Sequence, residues 1–225
     1  MRLAGWIGVC LSLLGTIAMA HGVDDRTAQF LQGNNGIALI PYLYIGAKHM
    51  LTGYDHLLFL VGVIFFLYRR QDIILYVSLF TLGHSVTLLF GVLNHIHMNP
   101  YLIDAIIGFS VVYKAFDNLG GWQRLFGFQP DTRWAVLIFG LFHGFGLATK
   151  LQDFQLPQES LLPNMLAFNI GVEIGQVLAL TLVLLLMNAW RLTHSFQRFA
   201  VITNTLLMTA GLILMAYQLT GYWTI

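Results

Sequence analysis

The chain has 225 residues, of which 57% are hydrophobic and 9% charged, whereas a soluble domain carries roughly a quarter charged residues. Eleven basic against ten acidic residues leave a net charge of +1, which excludes nucleic acid and strongly acidic surfaces as partners. A lipid bilayer is the partner this composition demands, so function has to reside in local sites.

The first twenty residues, MRLAGWIGVCLSLLGTIAMA, join one early arginine and an apolar run to Ala18-Met19-Ala20, the small-x-small pattern of a secretory signal peptide. Cleavage would leave His21 at the mature N-terminus; the alternative is an uncleaved first membrane helix. Cys10, the single cysteine, lies inside this segment, so the mature chain would have neither disulfides nor thiolate metal ligands.

Residues 21–36, HGVDDRTAQFLQGNNG, read as an exported polar segment, and residues 37–225 as a single transmembrane helical domain. Within it, 37–51 has mixed polarity and reads as a short helix lying in the interface or re-entering it. Six segments follow that are long enough, with tilt, for a hydrocarbon core of about 30 Å: 53–68, 73–93, 101–116, 134–149, 164–190 and 199–222. The expected fold class is therefore all-α, a polytopic bundle of about six transmembrane helices behind a cleavable signal peptide. Arg69 and Arg70, Arg124 and Arg133, and Arg191 and Arg198 fall in alternate loops, as cytoplasmic connections do. Both mature ends are then outside, in agreement with export of the N-terminus, and the expected location is a bacterial inner membrane.

Inside the segments stand Asp55, His56, His84, Asp104, Lys114, His143, Asn169, Glu173 and Gln176, each costly in hydrocarbon unless it meets a partner, water or an ion. At ~1.5 Å per residue, His56 and His84 share a level about 20 Å from the cytoplasmic edge, and His143 and Glu173 lie about 15 Å from their nearer edges. Depth thus points to one shared site in the outer half of the bundle, open to the outside.

In KHMLTGYDHLLFL, residues 48–60, His49 and His56 are seven apart on one helical face, and Asp55 adds a carboxylate. Imidazoles with a carboxylate suit Ni²⁺, Co²⁺ or Zn²⁺ rather than soft Cu⁺. Interfacial capping by Asp55, with His56 anchored at the headgroups, is the alternative. His84, in FTLGHSVTLLF, has Ser85 beside it and Thr81 as a hydrogen-bond partner within reach. In FGLFHGFGLA, Gly140 and Gly144 form a small-residue face around His143. In NIGVEIGQ, Asn169, Glu173 and Gln176 share a face flanked by Gly171 and Gly175. Glu173 reads as a cation ligand or proton carrier, or else as a protonated group bonded to another helix. Auxiliary candidates are His21, through its imidazole and free amine, His95 and His97 in the outer loop NHIHMNP, Asp104 nearer the outer surface, Asn169 and Ser85.

HMLTGYDH, residues 49–56, resembles the first signature of the HupE/UreJ hydrogenase and urease accessory proteins, regarded as nickel or cobalt permeases. FTLGHSVT, residues 80–87, is similar to the Gly-His-Ser signature of the wider nickel/cobalt transporter group, and FHGFG, residues 142–146, to the family's Phe-His-Gly motif. DHLLFL and NIGVEIGQ look like the second branch of the family. The His-Gly-x-Glu element usual in the permeases is represented here only by Gly171-Val172-Glu173. The resemblance implies an inner-membrane divalent-cation permease or metal-handling accessory protein, with Ni²⁺ or Co²⁺ as its ion, Zn²⁺ as a further candidate, and metalloenzyme maturation proteins as partners. His49, Asp55, His56, His84, His143 and Glu173 are the expected ligands. An intramembrane zinc-dependent hydrolase, with His, Asp and Ser85 around an open water position, is the alternative function. Gly-rich helix faces fit internal packing and subunit contacts equally, which leaves the oligomeric state open.

Overall fold

A computed structural model of the chain describes residues 36–153 and 158–224. The expected signal peptide at 1–20, and with it Cys10 and the mature terminus at His21, lies outside the described residues.

Among the described residues every regular element is helical: α1 (Leu39–Thr52), α2 (Tyr54–Ile64), α3 (Arg70–Leu93), α4 (Pro100–Asn118), α5 (Gly121–Phe126), α6 (Thr132–Gln152), α7 (Gln158–Arg191) and α8 (Ser195–Trp223). Four of them, α3, α6, α7 and α8, are long and apolar enough to cross a membrane. Large apolar side chains are exposed on α7 and α8, as at Leu182, Leu185, Val201 and Leu206, which is the surface a lipid-facing helix needs. The chain is a multi-pass membrane protein.

Two of the expected crossings take a different form. Segment 53–68 becomes the 11-residue α2, which ends at Ile64 and at ~1.5 Å per residue reaches only about half of a hydrocarbon core. Segment 101–116 becomes the 19-residue α4, long enough to cross but carrying Asp104, Lys114 and Asp117. Residues 37–51 do give the expected short helix. They build α1, which lies lengthwise along α7, with Leu43 against Gly171 and Ala47 against Gly175.

Three helix pairs organise the bundle. In α1 and α7 the contacts advance together along both chains, so the pair is parallel. The same holds for α3 and α6, where Gly83 meets Leu137 and Leu141 and Gly91 meets Ala148. Between α4 and α8 the order reverses, with Tyr101 against Gly221 and Val112 against Gly211. A Cβ on Gly144 would overlap the His84 carbonyl oxygen, and one on Gly171 the Leu43 carbonyl oxygen, so both close backbone approaches require glycine. Thr87 Oγ1 adds a hydrogen bond across the first of these contacts, donating to the Leu141 carbonyl at 2.7 Å.

Helix ends are closed by side chains from neighbours. The Asn164 amide of α7 accepts from Ala38 N–H at 2.9 Å and donates to the Gly36 carbonyl at 3.0 Å, which satisfies the start of α1. Asn99 caps α4 by accepting from Leu102 N–H, with Pro100 at the first helical position. At the far end of α2, Arg191 donates to the carbonyl oxygens of Ile64 and Phe65, and Asn118 donates to Gly62 at 2.8 Å and to Asn204 at 2.9 Å. Below them Phe196 stacks on Phe65 at 5.3 Å between ring centres and meets Trp190 edge to face at 5.0 Å. This topology brings the end of α2, the start of α3, the turn from α4 to α6 and the turn from α7 to α8 together. All six arginines of the sequence pattern lie at this arginine end.

Candidate metal centre

The opening motif is where a helix is interrupted. Gly53 separates α1 from α2 with φ −72° and ψ 96°, an extended conformation. A Cβ there would come within 2.8 Å of His56 Nδ1 and 3.2 Å of the Asp55 carboxylate, so the break admits no side chain. Its effect is positional: His49 ends α1, Asp55 and His56 begin α2, and the two histidine rings meet edge to face with centroids 5.1 Å apart. Interrupted helices are tolerated at membrane depth only against protein or a polar cavity.

Two further histidines arrive on the glycine-paired helices. His84 stands near the middle of α3 and His143 near the middle of α6, and the close approach at Gly144 sets both against α2. The His56 ring lies 5.8 Å from that of His84 and 4.8 Å from that of His143. His56, His84 and His143 are at most 1% exposed, and Asp55 is 2% exposed. Neither ring nitrogen of His84 or of His143 has a hydrogen-bond partner among the described residues, although buried polar atoms are nearly always paired.

The donor set fits a transition-metal ion. One nitrogen each from His49, His56 and His84 lies within 4.8 Å of the others. Around a tetrahedral ion with metal–nitrogen bonds of about 2.0–2.1 Å, ligand nitrogens stand about 3.3 Å apart, so side-chain rotations of under about 1 Å per ring would close the set. Asp55 Oδ1 lies 3.0 Å from His56 Nδ1. That carboxylate can accept a hydrogen bond from Nδ1–H, which would set the His56 tautomer as a carboxylate does behind a ligating histidine.

A layer of opposite character lies one helical turn nearer the arginine end. Phe59 follows His56 in α2, Phe80 precedes His84 in α3, and Phe139 precedes His143 in α6. Phe59 is centred 5.4 Å from Phe80 and 5.9 Å from Phe139, and Phe80 packs 4.9 Å from His143. Spacings of three and four residues from each histidine carry this signal in the sequence, where it is easily passed over among seventeen phenylalanines.

The remaining expected residues are distributed elsewhere. Asp104 does not join the imidazoles: its Oδ2 accepts from Lys150 at 2.8 Å, a lysine near the end of α6 that sequence reasoning overlooked. Lys114 pairs with Asp117 one turn on. Glu173 is exposed on α7 and lines a groove with Ser85, whereas Asn169 and Gln176 on the same helix are buried. The Asn169 amide has no partner among the described residues. His95, with a left-handed φ of 53°, and His97 lie exposed in the turn between α3 and α4.

Comparison with known proteins agrees with the motifs. No curated protein and no solved structure matches the chain. The family described as HupE / UreJ protein matches residues 25–225. That span takes in every described helix and all four clustered histidines, and the chain belongs to the HupE/UreJ family.

Proposed function

We propose that the protein binds a divalent transition-metal ion, Ni²⁺ or Co²⁺, among His49, His56, His84 and His143, and passes it across a bacterial inner membrane to supply metalloenzyme maturation. One observation carries the reading: three imidazoles, those of His49, His84 and His143, converge on that of His56 within an apolar bundle. Membership of a family of metal-handling accessory membrane proteins supports the choice of ion. Zn²⁺ suits the same donors.

In this reading α1 and α2 together make one interrupted crossing, and α3, α4, α6, α7 and α8 make the other five. The arginine end faces the cytoplasm, and both mature ends face the outside. An arriving cation exchanges waters for imidazoles, Asp55 holds the His56 tautomer, and protons compete with the ion for the rings. The Phe59, Phe80 and Phe139 layer is the dry constriction that a bound ion has to pass. Ser85, which the hydrolase alternative needs beside the metal, lines the groove of Glu173 instead.

Uptake of labelled Ni²⁺ or Co²⁺ into proteoliposomes tests the proposal. Flux is expected from the natural protein and is expected to disappear in His56→Ala and to fall in Asp55→Asn. Tight binding of one equivalent of metal with no flux in any lipid would contradict a permease.

A further inference from the structure

Between α3 and α7 runs a groove of about 430 Å³ lined by Ser78, Thr81, Ser85, Glu173 and Gln176. On the other side of Gln176 lies a far smaller cavity, about 10 Å³, against His56, Phe59 and Phe80. Val77 and Gln176 form part of both walls. Gln176 is 2% exposed. Its carbonyl oxygen accepts from Thr81 Oγ1 at 2.7 Å, and its amide donates to the Val77 carbonyl at 3.2 Å. The Gln176 side chain is therefore a partition between the groove and a mainly apolar cavity that reaches His56, held by two hydrogen bonds.

The two spaces differ in what they can hold. A cation with six waters needs roughly 180 Å³ for those waters, at about 30 Å³ each, and fits the groove with room to spare. The inner cavity holds about one water. Donor chemistry divides in the same way. The groove offers a carboxylate and hydroxyls, oxygen donors suited to an ion that keeps its water shell, whereas the cluster beyond offers imidazole nitrogen. An exposed carboxylate midway along a spanning helix also requires a wet recess, because hydrocarbon would not solvate it.

We propose that this groove is a waiting site for a hydrated divalent cation, and that Gln176, released from Thr81, admits the ion to the imidazoles as it sheds water. The proposal rests on the histidine cluster being the metal centre. It makes the Glu173 carboxylate a capture group and Gln176 a gate.

Stopped-flow mixing of Co²⁺ with the full-length protein in nanodiscs tests it, using the absorption change as water oxygen is replaced by imidazole nitrogen. Glu173→Gln is expected to slow the change at least tenfold at sub-saturating Co²⁺, and Gln176→Ala to speed it severalfold, with final amplitude and stoichiometry unchanged in both. Glu159→Gln, in the first turn of α7 and outside the groove, should match the natural protein. An unchanged rate in Glu173→Gln overturns the proposal, as when a lipid or a second copy covers the groove. Loss of the final amplitude in that variant also overturns it, since Glu173 would then be an inner ligand. Absence of any absorption change in the natural protein is a different failure, that of the histidine centre itself.

Discussion

The histidine layer and the phenylalanine layer are built by the same three helices, one turn apart, and they differ in what they offer a cation. His56, His84 and His143 offer lone pairs at a depth where water is scarce, and Phe59, Phe80 and Phe139 offer none. Both layers are buried and pack against one another, His143 being centred 4.9 Å from Phe80 and 5.6 Å from Phe59. Burial alone therefore does not separate a binding site from a seal; the presence of nitrogen does. A bilayer-spanning pathway needs both, one place where an ion rests and another that keeps water and protons from following.

Substitutions in the two layers should consequently fail in different ways. His56→Ala removes the ring on which the others converge, and titration calorimetry is expected to show affinity for Co²⁺ or Ni²⁺ lowered more than about 100-fold, beyond the effect of losing an outer-sphere partner. Asp55→Asn keeps the ligand but weakens the group that fixes its tautomer, for an expected loss of about 10- to 100-fold in the same experiment. Phe80→Ala acts on the other layer: affinity should stay within about threefold, well under 1 kcal/mol, while metal-independent proton leak through proteoliposomes rises. If Phe80→Ala instead abolishes binding in folded protein, the two layers are one unit and the comparison breaks. The smallest effect belongs to His95→Ala and His97→Ala, exposed in the turn after α3, where changes of less than about twofold in affinity are expected.

Much of the bundle was legible because hydropathy sets helix length directly. Segments 73–93, 134–149, 164–190 and 199–222 lie within α3, α6, α7 and α8. The glycines of FHGFG and NIGVEIGQ were readable as contact surfaces, and Gly144 and Gly171 do pack against neighbouring backbone. The α1–α2 break was harder to see. Residues 37–51 read as a separate short helix of mixed polarity, and nothing local in the sequence showed that His49 would meet Phe168 of α7 and His56 of α2. Depth counting placed His56 with His84 correctly, since rise per residue is a local property.

The neighbours of Glu173 were not legible for a related reason. Spacings of four and three residues put Asn169, Glu173 and Gln176 in one sector of α7, but that sector straddles the edge of a packed helix. Asn169 and Gln176 fall inside the edge and Glu173 outside it. The Asp104–Lys150 pair was not legible because the two residues are remote in sequence and sit on different helices. Pairings of that kind are set by packing and leave no periodic trace in a single chain.

X-ray absorption at the nickel edge, on protein loaded with one equivalent of Ni²⁺, tests the histidine centre most directly. The expected spectrum shows at least three imidazole ligands, by the multiple-scattering signature of the ring, and loses imidazole scattering in His84→Ala. A shell of oxygen donors alone, or a spectrum unaltered by that substitution, would contradict it.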